Sequence, residues 1–313
     1  MMKNSGNLKS NLIQKAEFLR PYKWLFKNKA SKIGIYLFLA LIIFAIIGSI
    51  WTPYNPNFTG FPANQPPTFK HLLGTTSVGQ DIFSQLLNGA APTLEIGLTA
   101  GFGILLLSLF GALAAGMSKG LIRFVIDGLI NIFMVIPALL LIIYFGLFFL
   151  SKGSALGDIG IVFALSVTGW AGAARILRSQ ILSLFNRDFI VSSRLIGENR
   201  ITIIGQLTSN ILPIVFSTFF FDALFSVLAL TWVEFYGLGS INSINWGTML
   251  YWSIDYYSYG IGAWWWFLSP AIMVAMVALS FSLINFGLDE IANPKLRSFS
   301  QEPKKKTKKE VDS

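Results

Sequence analysis

The sequence predicts an all-α integral membrane protein that crosses the bilayer six times and keeps both ends in the cytoplasm. Of its 313 residues, 54% are hydrophobic and only 12% are charged, and the mean hydropathy is +0.62. Long apolar runs recur along the chain, and basic residues collect in alternate segments between them. A soluble globule of this length needs more polar surface than this composition provides.

The six predicted spans follow from the length of the apolar runs. A helix rises about 1.5 Å per residue, so crossing the hydrocarbon core takes roughly twenty apolar residues. The first run exceeds the apolar region of a signal peptide and is predicted to be retained. The approximate limits of the runs are Ile33–Trp51, Leu94–Met117, Ile126–Leu150, Ile159–Leu177, Leu212–Val233 and Trp264–Leu288.

The distribution of basic residues predicts the orientation. All but Lys70 and Lys152 of the 24 lysines and arginines fall on the side of the two termini. Because cytoplasmic segments carry the excess of Lys and Arg, both termini are expected in the cytoplasm. The predicted parts are an interfacial N-terminal segment (1–32), a first helix (33–51), an extracellular segment (52–93), a core (94–290) with a cytoplasmic loop (178–211), and a basic cytoplasmic tail (291–313).

The composition argues against several classes of function. Without cysteine, and with His71 as the single histidine, the chain offers no thiolate nucleophile and no cluster of Cys or His metal ligands. No G-x-x-x-x-G-K-[ST] phosphate-binding loop occurs, so ATP is not expected to bind this chain in the usual way. The basic residues form blocks between apolar runs instead of one continuous face, which argues against nucleic acid as a partner.

The loop between the fourth and fifth runs is long and basic, and a cytoplasmic partner is expected to bind there. The segment 188–196 predicts a short helix, because Asp188 suits the positive end of a helix dipole. Gly197 can take the left-handed conformation that ends such a helix. Small Ser192 and Ser193 allow close packing, and Arg194 provides a charged contact. An ordinary amphipathic connector is the alternative interpretation.

The same loop resembles that of the permease subunits of binding-protein-dependent ABC importers. Their signature is E-A-A, three residues, Gly, and a later I-L-P. In this chain Val191 replaces the acidic residue, and serines replace both alanines. The positions that fall on the signature are Val191, Ser192, Ser193, Gly197, Ile211, Leu212 and Pro213.

A second resemblance narrows the branch of that family. The segment HLLGTTSVGQDIFSQLLNGAAPTL is similar to the LGT-D-x-x-GRD-x-x-SR-x-x-x-G element of dipeptide, oligopeptide and nickel permeases, although Gln80 and Gln85 replace its usual arginines. The segments GLGSINSINWGTML and GLDEIANPKLR extend the likeness over roughly residues 70 to 297. The arrangement most resembles the C-type oligopeptide permease subunit. The matching positions are Leu73, Gly74, Thr75, Gly79, Asp81, Ser84 and Gly89.

The resemblance implies a type I ABC importer permease fold, with a five-helix core and one additional N-terminal helix, in a bacterial cytoplasmic membrane. It also implies a second permease as heterodimer partner, two cytoplasmic ATPases that bind ATP and Mg, and an extracellular or periplasmic substrate-binding protein. The chain would be a non-catalytic half of the path for oligopeptides or dipeptides, with nickel or another small solute as the alternative cargo. The residues implied in ATPase coupling are Asp188, Val191, Ser192, Ser193, Arg194 and Gly197.

Candidate path residues come from polar groups in or beside the spans. Ionisable side chains inside a membrane are costly and often functional. Asp222 lies within the fifth run and is expected either to line a water-filled path or to form a structural ion pair. Glu234 and Trp246 are further candidates at the external end. The functional interpretation of Trp246 is that it supports a gate. The alternative is that it belongs to an aromatic belt at the membrane interface.

Two other classes of function compete with an importer subunit. A secondary transporter needs coupling-ion ligands near the midplane and often has two related halves, and the sequence has no such halving. A membrane enzyme needs a nucleophile, an acid–base pair or metal ligands at one place, and the scattered carboxylates form no such constellation.

Overall fold

A computed structural model gives the structure of residues 25–26, 28–151, 157–185, 192–193, 195–197 and 200–292, with the backbone alone for 117, 150–151, 184–185, 200–210 and 292. The described residues form helices and connecting turns, and no β-strand occurs among them. The predicted all-helical class is confirmed. The helices are α1 (Lys29–Ile50), α2 (Ile82–Asn88), α3 (Ala90–Met117), α4 (Gly120–Val135), α5 (Ala138–Ser151), α6 (Asp158–Phe185), α7 (Arg200–Phe235), α8 (Trp246–Asp255) and α9 (Trp264–Ala292).

Five of the described helical stretches are long and apolar enough to cross a membrane, and α4 with α5 makes a sixth if the bent pair is one span. The third predicted run therefore differs from the prediction of a single helix, because α4 and α5 meet at an angle of 81°. The break falls at Pro137, whose ring disfavours a helical conformation at Ile136. Ile136 accordingly has an extended backbone.

The fifth predicted run also differs at its start. α7 begins twelve residues before Leu212 and contains Pro213 in its interior. The residues from Arg200 to Asn210 are too polar to count toward a hydrocarbon span, yet they are helical. The apolar run indicates where a helix enters the membrane and gives no information on where the helix begins.

The helix α3 lies at the centre of the bundle. It packs against α6 on one side and α7 on another, while α9 packs against α7. The largest apolar core joins α1, α3, α7, α8 and α9 around the buried rings of Trp246, Trp266 and Phe281. A second core joins α3, α5, α6 and α7.

The N-terminal helix α1 is attached to the rest of the bundle mainly along α9. Ser280 Oγ donates a hydrogen bond of 3.0 Å to the carbonyl oxygen of Gly34. At the other end, Asn28 Nδ2 donates to Glu290 Oε2 at 2.6 Å, and the Asn28 side chain caps α1 by accepting from the Ala30 amide. Polar contacts at two levels thus fix how α1 lies on α9.

The residues between α1 and α3 fold into a compact layer around His71 at one end of the bundle. His71 Nδ1 lies 2.8 Å from Asp81 Oδ1, and the rings of Tyr54 and Phe61 cover the imidazole. The other oxygen of Asp81 caps α2 by accepting from the Ser84 amide at 2.8 Å and from Ser84 Oγ at 2.7 Å. Asp81 and Ser84 of the recognised element therefore form the start of α2.

Candidate functional site

A cavity of about 580 Å³ lies within the bundle, and we refer to it as the central cavity. Its walls come from the α4–α5 bend (133–138), the middle of α6 (168–176), the middle of α7 (217–225) and the end of α9. Most of its surface is apolar. The polar side chains that line it are Thr168, Ser217, Thr218, Asp222, Asn285 and Asp289.

Asp222 lies on the α7 wall of this cavity. The residue is 4% exposed, and its Oδ2 atom has no hydrogen-bond partner among the described residues. No described Lys, Arg or His lines the cavity, so an ion pair within these walls is not observed for Asp222. A carboxylate inside a membrane is costly unless water, a partner group or a cargo solvates it.

Three further polar residues form a cluster on the facing walls. Ser217 Oγ on α7 is within hydrogen-bonding distance of both Asn285 Oδ1 and Asp289 Oδ1 on α9. Sequence reasoning missed this cluster, because Asp289 follows the last apolar run and looks like a charge that flanks a span. The helical spacing of Thr218 and Asp222, four residues apart beside Ser217, could have indicated a polar stripe on α7.

Glu234 lies outside these walls, near the C-terminal end of α7. Its side chain is completely buried beside Asn245. A Cβ atom added at Gly239 would lie 2.5 Å from Glu234 Oε1, and one added at Gly247 would lie 2.6 Å from Glu234 Cβ. Both positions therefore require glycine for the close approach of the turn to α7.

Trp246 is also completely buried, in the largest apolar core. Its backbone amide donates to Thr93 Oγ1 at 3.1 Å, and its indole Nε1 donates to the carbonyl oxygen of Leu86 at 3.0 Å. Asn245 caps α8 with a reciprocal bond to Thr248. Trp246 thus attaches α8 to α2 and α3, next to the turn that encloses Glu234.

Of the predicted coupling residues, the structure describes Ser192, Ser193 and Gly197. Ser192 and Ser193 are helical, and Gly197 has a φ of +77°, which confirms the predicted left-handed end. Ser193 is buried and Ser192 is exposed. The side chains that follow are largely exposed apolar groups, Leu195 at 84% and Ile196 at 79%. Asp188, Val191 and Arg194 lie outside the described residues.

The helix α4 carries a polar stripe that faces the C-terminal half of α6. Arg178 donates to Asp127 Oδ1, and Arg175 donates to the side-chain oxygen of Asn131. Arg123 lies one turn from Asp127, at 3.7 Å. These pairs join α4 to α6 on the N-terminal side of the bend.

A bundle of long apolar helices, with a cavity between them that a few polar side chains line, is typical of an integral membrane permease. The chain belongs to the family of binding-protein-dependent transport system inner membrane components, whose sequence profile matches residues 107–298. Residues 22–67 match a second profile, described as the N-terminal TM domain of oligopeptide transport permease C. The additional first helix predicted from sequence thus falls within a recognised domain.

Two relatives extend this likeness over almost the whole chain. The dipeptide transport system permease protein DppC of Bacillus subtilis is 29% identical over 88% of this chain and 85% of its own length. A putative peptide transport system permease protein of Brucella abortus is 30% identical over 91% of this chain and 94% of its own length.

A solved structure shows the same fold. A chain of the MetNI methionine ABC transporter in an inward-facing conformation aligns with a TM-score of 0.52 at 17% identity. The alignment covers 67% of this chain and 95% of the MetNI chain. The predicted family is confirmed, and the predicted fold type agrees with this neighbour.

Proposed function

We propose that this chain is one of two permease subunits that enclose the translocation path of an ATP-driven peptide importer. The single observation that carries the proposal is the position of the central cavity. All four of its walls lie within residues 107–298, the part that matches the family profile. We infer that the path belongs to this part, which the members of the family share. The helix α1 and the layer around His71 lie before it in the sequence.

Peptides are the proposed cargo, either oligopeptides or dipeptides. The two relatives described above are named as dipeptide and peptide permeases. The described residues contain no group of three or more His, Cys, Asp or Glu side chains placed to hold a metal ion. Nickel or another small solute remains the alternative that the transport assay below decides.

The energy source is proposed to lie on partner subunits. Two cytoplasmic ATPases would bind ATP and Mg, and they would dock on the segment with Asp188, Val191, Ser192, Ser193, Arg194 and Gly197. The exposed apolar side chains of Leu195 and Ile196 support this placement, because a surface of this kind is usually covered by a partner. A second permease, and an extracellular or periplasmic substrate-binding protein, complete the proposed assembly, and this chain itself catalyses no reaction.

We further propose six crossings with both termini in the cytoplasm of a bacterial cell, and residence in the cytoplasmic membrane. The bias of Lys and Arg toward one side supports this orientation. The bent pair α4 and α5 then counts as one crossing. Asp222 borders the path, whereas Glu234 and Trp246 act at its external end, where they position the turn between α7 and α8.

Uptake by the assembled system tests this function. We expect that purification of the chain from its native membranes in mild detergent brings with it a second permease and two ATPases, identified by mass spectrometry. Proteoliposomes with this assembly and its binding protein should take up a labelled tripeptide only when ATP is present on the ATPase side.

Three results would contradict the proposal or its cargo. ATP-independent uptake by the chain alone would identify a secondary transporter. Turnover of a substrate without transport would identify an enzyme. ATP-dependent uptake of nickel without uptake of peptide would replace the proposed cargo.

A further inference from the structure

The hydrogen-bonding groups of the central cavity are unbalanced. Thr168 and Thr218 donate their hydroxyl protons to carbonyl oxygens of their own helices, at 2.8 and 2.9 Å. The Ser217 hydroxyl has one proton but faces two acceptor oxygens, on Asn285 and Asp289. Asp222 Oδ2 receives no hydrogen bond from any described residue. The Asn285 amide adds two N–H donors, but the two carboxylates of the walls present four oxygen atoms, so the cavity still has more acceptors than donors.

The charge of the lining is unbalanced in the same direction. Two carboxylates, Asp222 and Asp289, are among the described residues of the walls, and no described basic side chain accompanies them. An ammonium or guanidinium group brings several N–H donors and a positive charge, but no acceptor. Such a group supplies what the walls lack.

The two acidic positions lie at different depths. Ser217 contacts Asp289, so the two residues lie at about the same depth. Ser217 and Asp222 are five residues apart on α7, which is about 7.5 Å along the helix axis. An extended peptide covers about this distance with two residues. A cationic group can therefore leave one carboxylate as it reaches the next, which favours passage over tight retention.

We propose that the central cavity is a transit site for the cationic groups of peptides, with Asp222 and the Ser217–Asn285–Asp289 cluster as two successive subsites. This inference rests on the proposed function and specifies its cargo. The permease then has its own preference for positively charged peptides, in addition to the selectivity of the binding protein. A lysine or arginine side chain of the peptide is the group that binds.

The test compares peptides of different charge in the complete assembly, reconstituted with its binding protein. The probes are Ala-Lys-Ala and Ala-Gln-Ala, and the readout is the ratio of their initial uptake rates. In the double variant Asp222→Asn and Asp289→Asn, we expect this ratio to fall about tenfold, equivalent to about 1.4 kcal/mol. The uptake of Ala-Gln-Ala should fall by less than that of Ala-Lys-Ala, because each substitution removes a charge and keeps the size of the side chain.

Two controls separate charge from structural damage. Asp222→Glu keeps the carboxylate, so its uptake ratio should remain near that of the unaltered assembly. Asp255→Asn removes an exposed external carboxylate and should leave the ratio unchanged. The binding protein is identical in every assay, so its own preference cancels from the comparison of variants.

An unchanged ratio in the double variant overturns the transit site while the importer function stands. Equal loss of both peptides also overturns it, because the carboxylates would then serve the structure of the path and not the charge of the cargo. If the unaltered assembly takes up no peptide at all, the proposed function fails and this inference fails with it.

Discussion

The side chain of Glu234 lies so close to Gly239 and Gly247 that a Cβ atom at either position would overlap with it. The turn after α7 passes over it at Gly239, and the first turn of α8 passes it at Gly247. Trp246, between these contacts and the core, ties α8 to Leu86 and Thr93. A few residues thus determine how the C-terminal end of α7 meets α2, α3 and α8.

Gly247→Ala tests this arrangement at the scale of one methyl group. The new Cβ would lie 2.6 Å from Glu234 Cβ and 3.2 Å from Thr231 Cα, so the backbone of α7 or α8 has to move. We expect a loss of stability of about 1–3 kcal/mol, the usual cost of overpacking. The measurement is the midpoint of thermal unfolding in detergent.

Gly116→Ala is the matched control, because an added Cβ at that helical position meets no atom within 4 Å. Replacement of glycine by alanine in a helix with free space raises stability by about 0.5–1 kcal/mol. Equal unfolding midpoints for the two variants would mean that Gly247 does not have to be small.

At the scale of elements, α4 depends on polar pairs to hold its place against α6. Its outer surface is apolar and exposed, with Leu121, Phe124 and Val135 among the exposed side chains. The same helix carries the contacts of Asp127 with Arg178 and of Asn131 with Arg175. These pairs join the part of α4 before the bend to α6.

A charge exchange tests this pairing. Asp127→Arg places three positive charges together with Arg123 and Arg178 and should lower the yield of folded protein. The double variant Asp127→Arg and Arg178→Asp restores one pair of opposite charges, and we expect it to recover most of that yield. Size-exclusion chromatography of detergent extracts measures the folded fraction, and a double variant no better than Asp127→Arg would show that the pair is dispensable.

The spans could be predicted because lipid imposes a simple length rule on apolar helices, and the runs around α1, α3, α6, α7 and α9 obey it. The helices α2 and α8 obey no such rule. Asp81 and Asn245 cap them locally, and the buried Trp246 of α8 donates to Leu86 of α2, 160 residues away in sequence. The bend at Pro137 has an angle of 81°, which depends on packing that a sequence does not contain.

The sequence predicts only the part of the candidate site that departs from the usual composition of a membrane span. Asp222 is a charge within an apolar run, and that anomaly alone drew attention to it. Asp289 and Asn285 lie near the end of α9, where polar residues are ordinary, and they become part of a site only because α9 packs on α7. A single sequence gives no information about that contact.

At the scale of the whole molecule, the number of crossings determines the side on which each loop lies. The absence of cysteine makes single-cysteine variants direct reporters, since no background thiol reacts. With six crossings, an impermeant maleimide added to spheroplasts should label Asn64→Cys and Gly157→Cys. It should not label Ser118→Cys until the membrane is permeabilised.

Gly157 distinguishes the two interpretations of the bent pair, because it follows α5 and precedes α6. If α4 and α5 form a re-entrant loop, the cysteine at position 157 should be protected together with that at position 118. Labelling at position 64 serves as the positive control in either case. Protection at position 157 would overturn the proposed six crossings.

The length of α7 has a mechanical consequence. Its 36 residues, with Pro213 in the interior, make a continuous helix of about 54 Å, well beyond the hydrocarbon thickness of about 30 Å. One end adjoins the segment at Gly197, and the other carries Glu234. If the helix pivots as one body by about 10° at its middle, the two ends move in opposite directions by about 5 Å each. A displacement of the end near Gly197 would thus move the end with Glu234 in the opposite direction, while Asp222 and Ser217, close to the pivot, would move least.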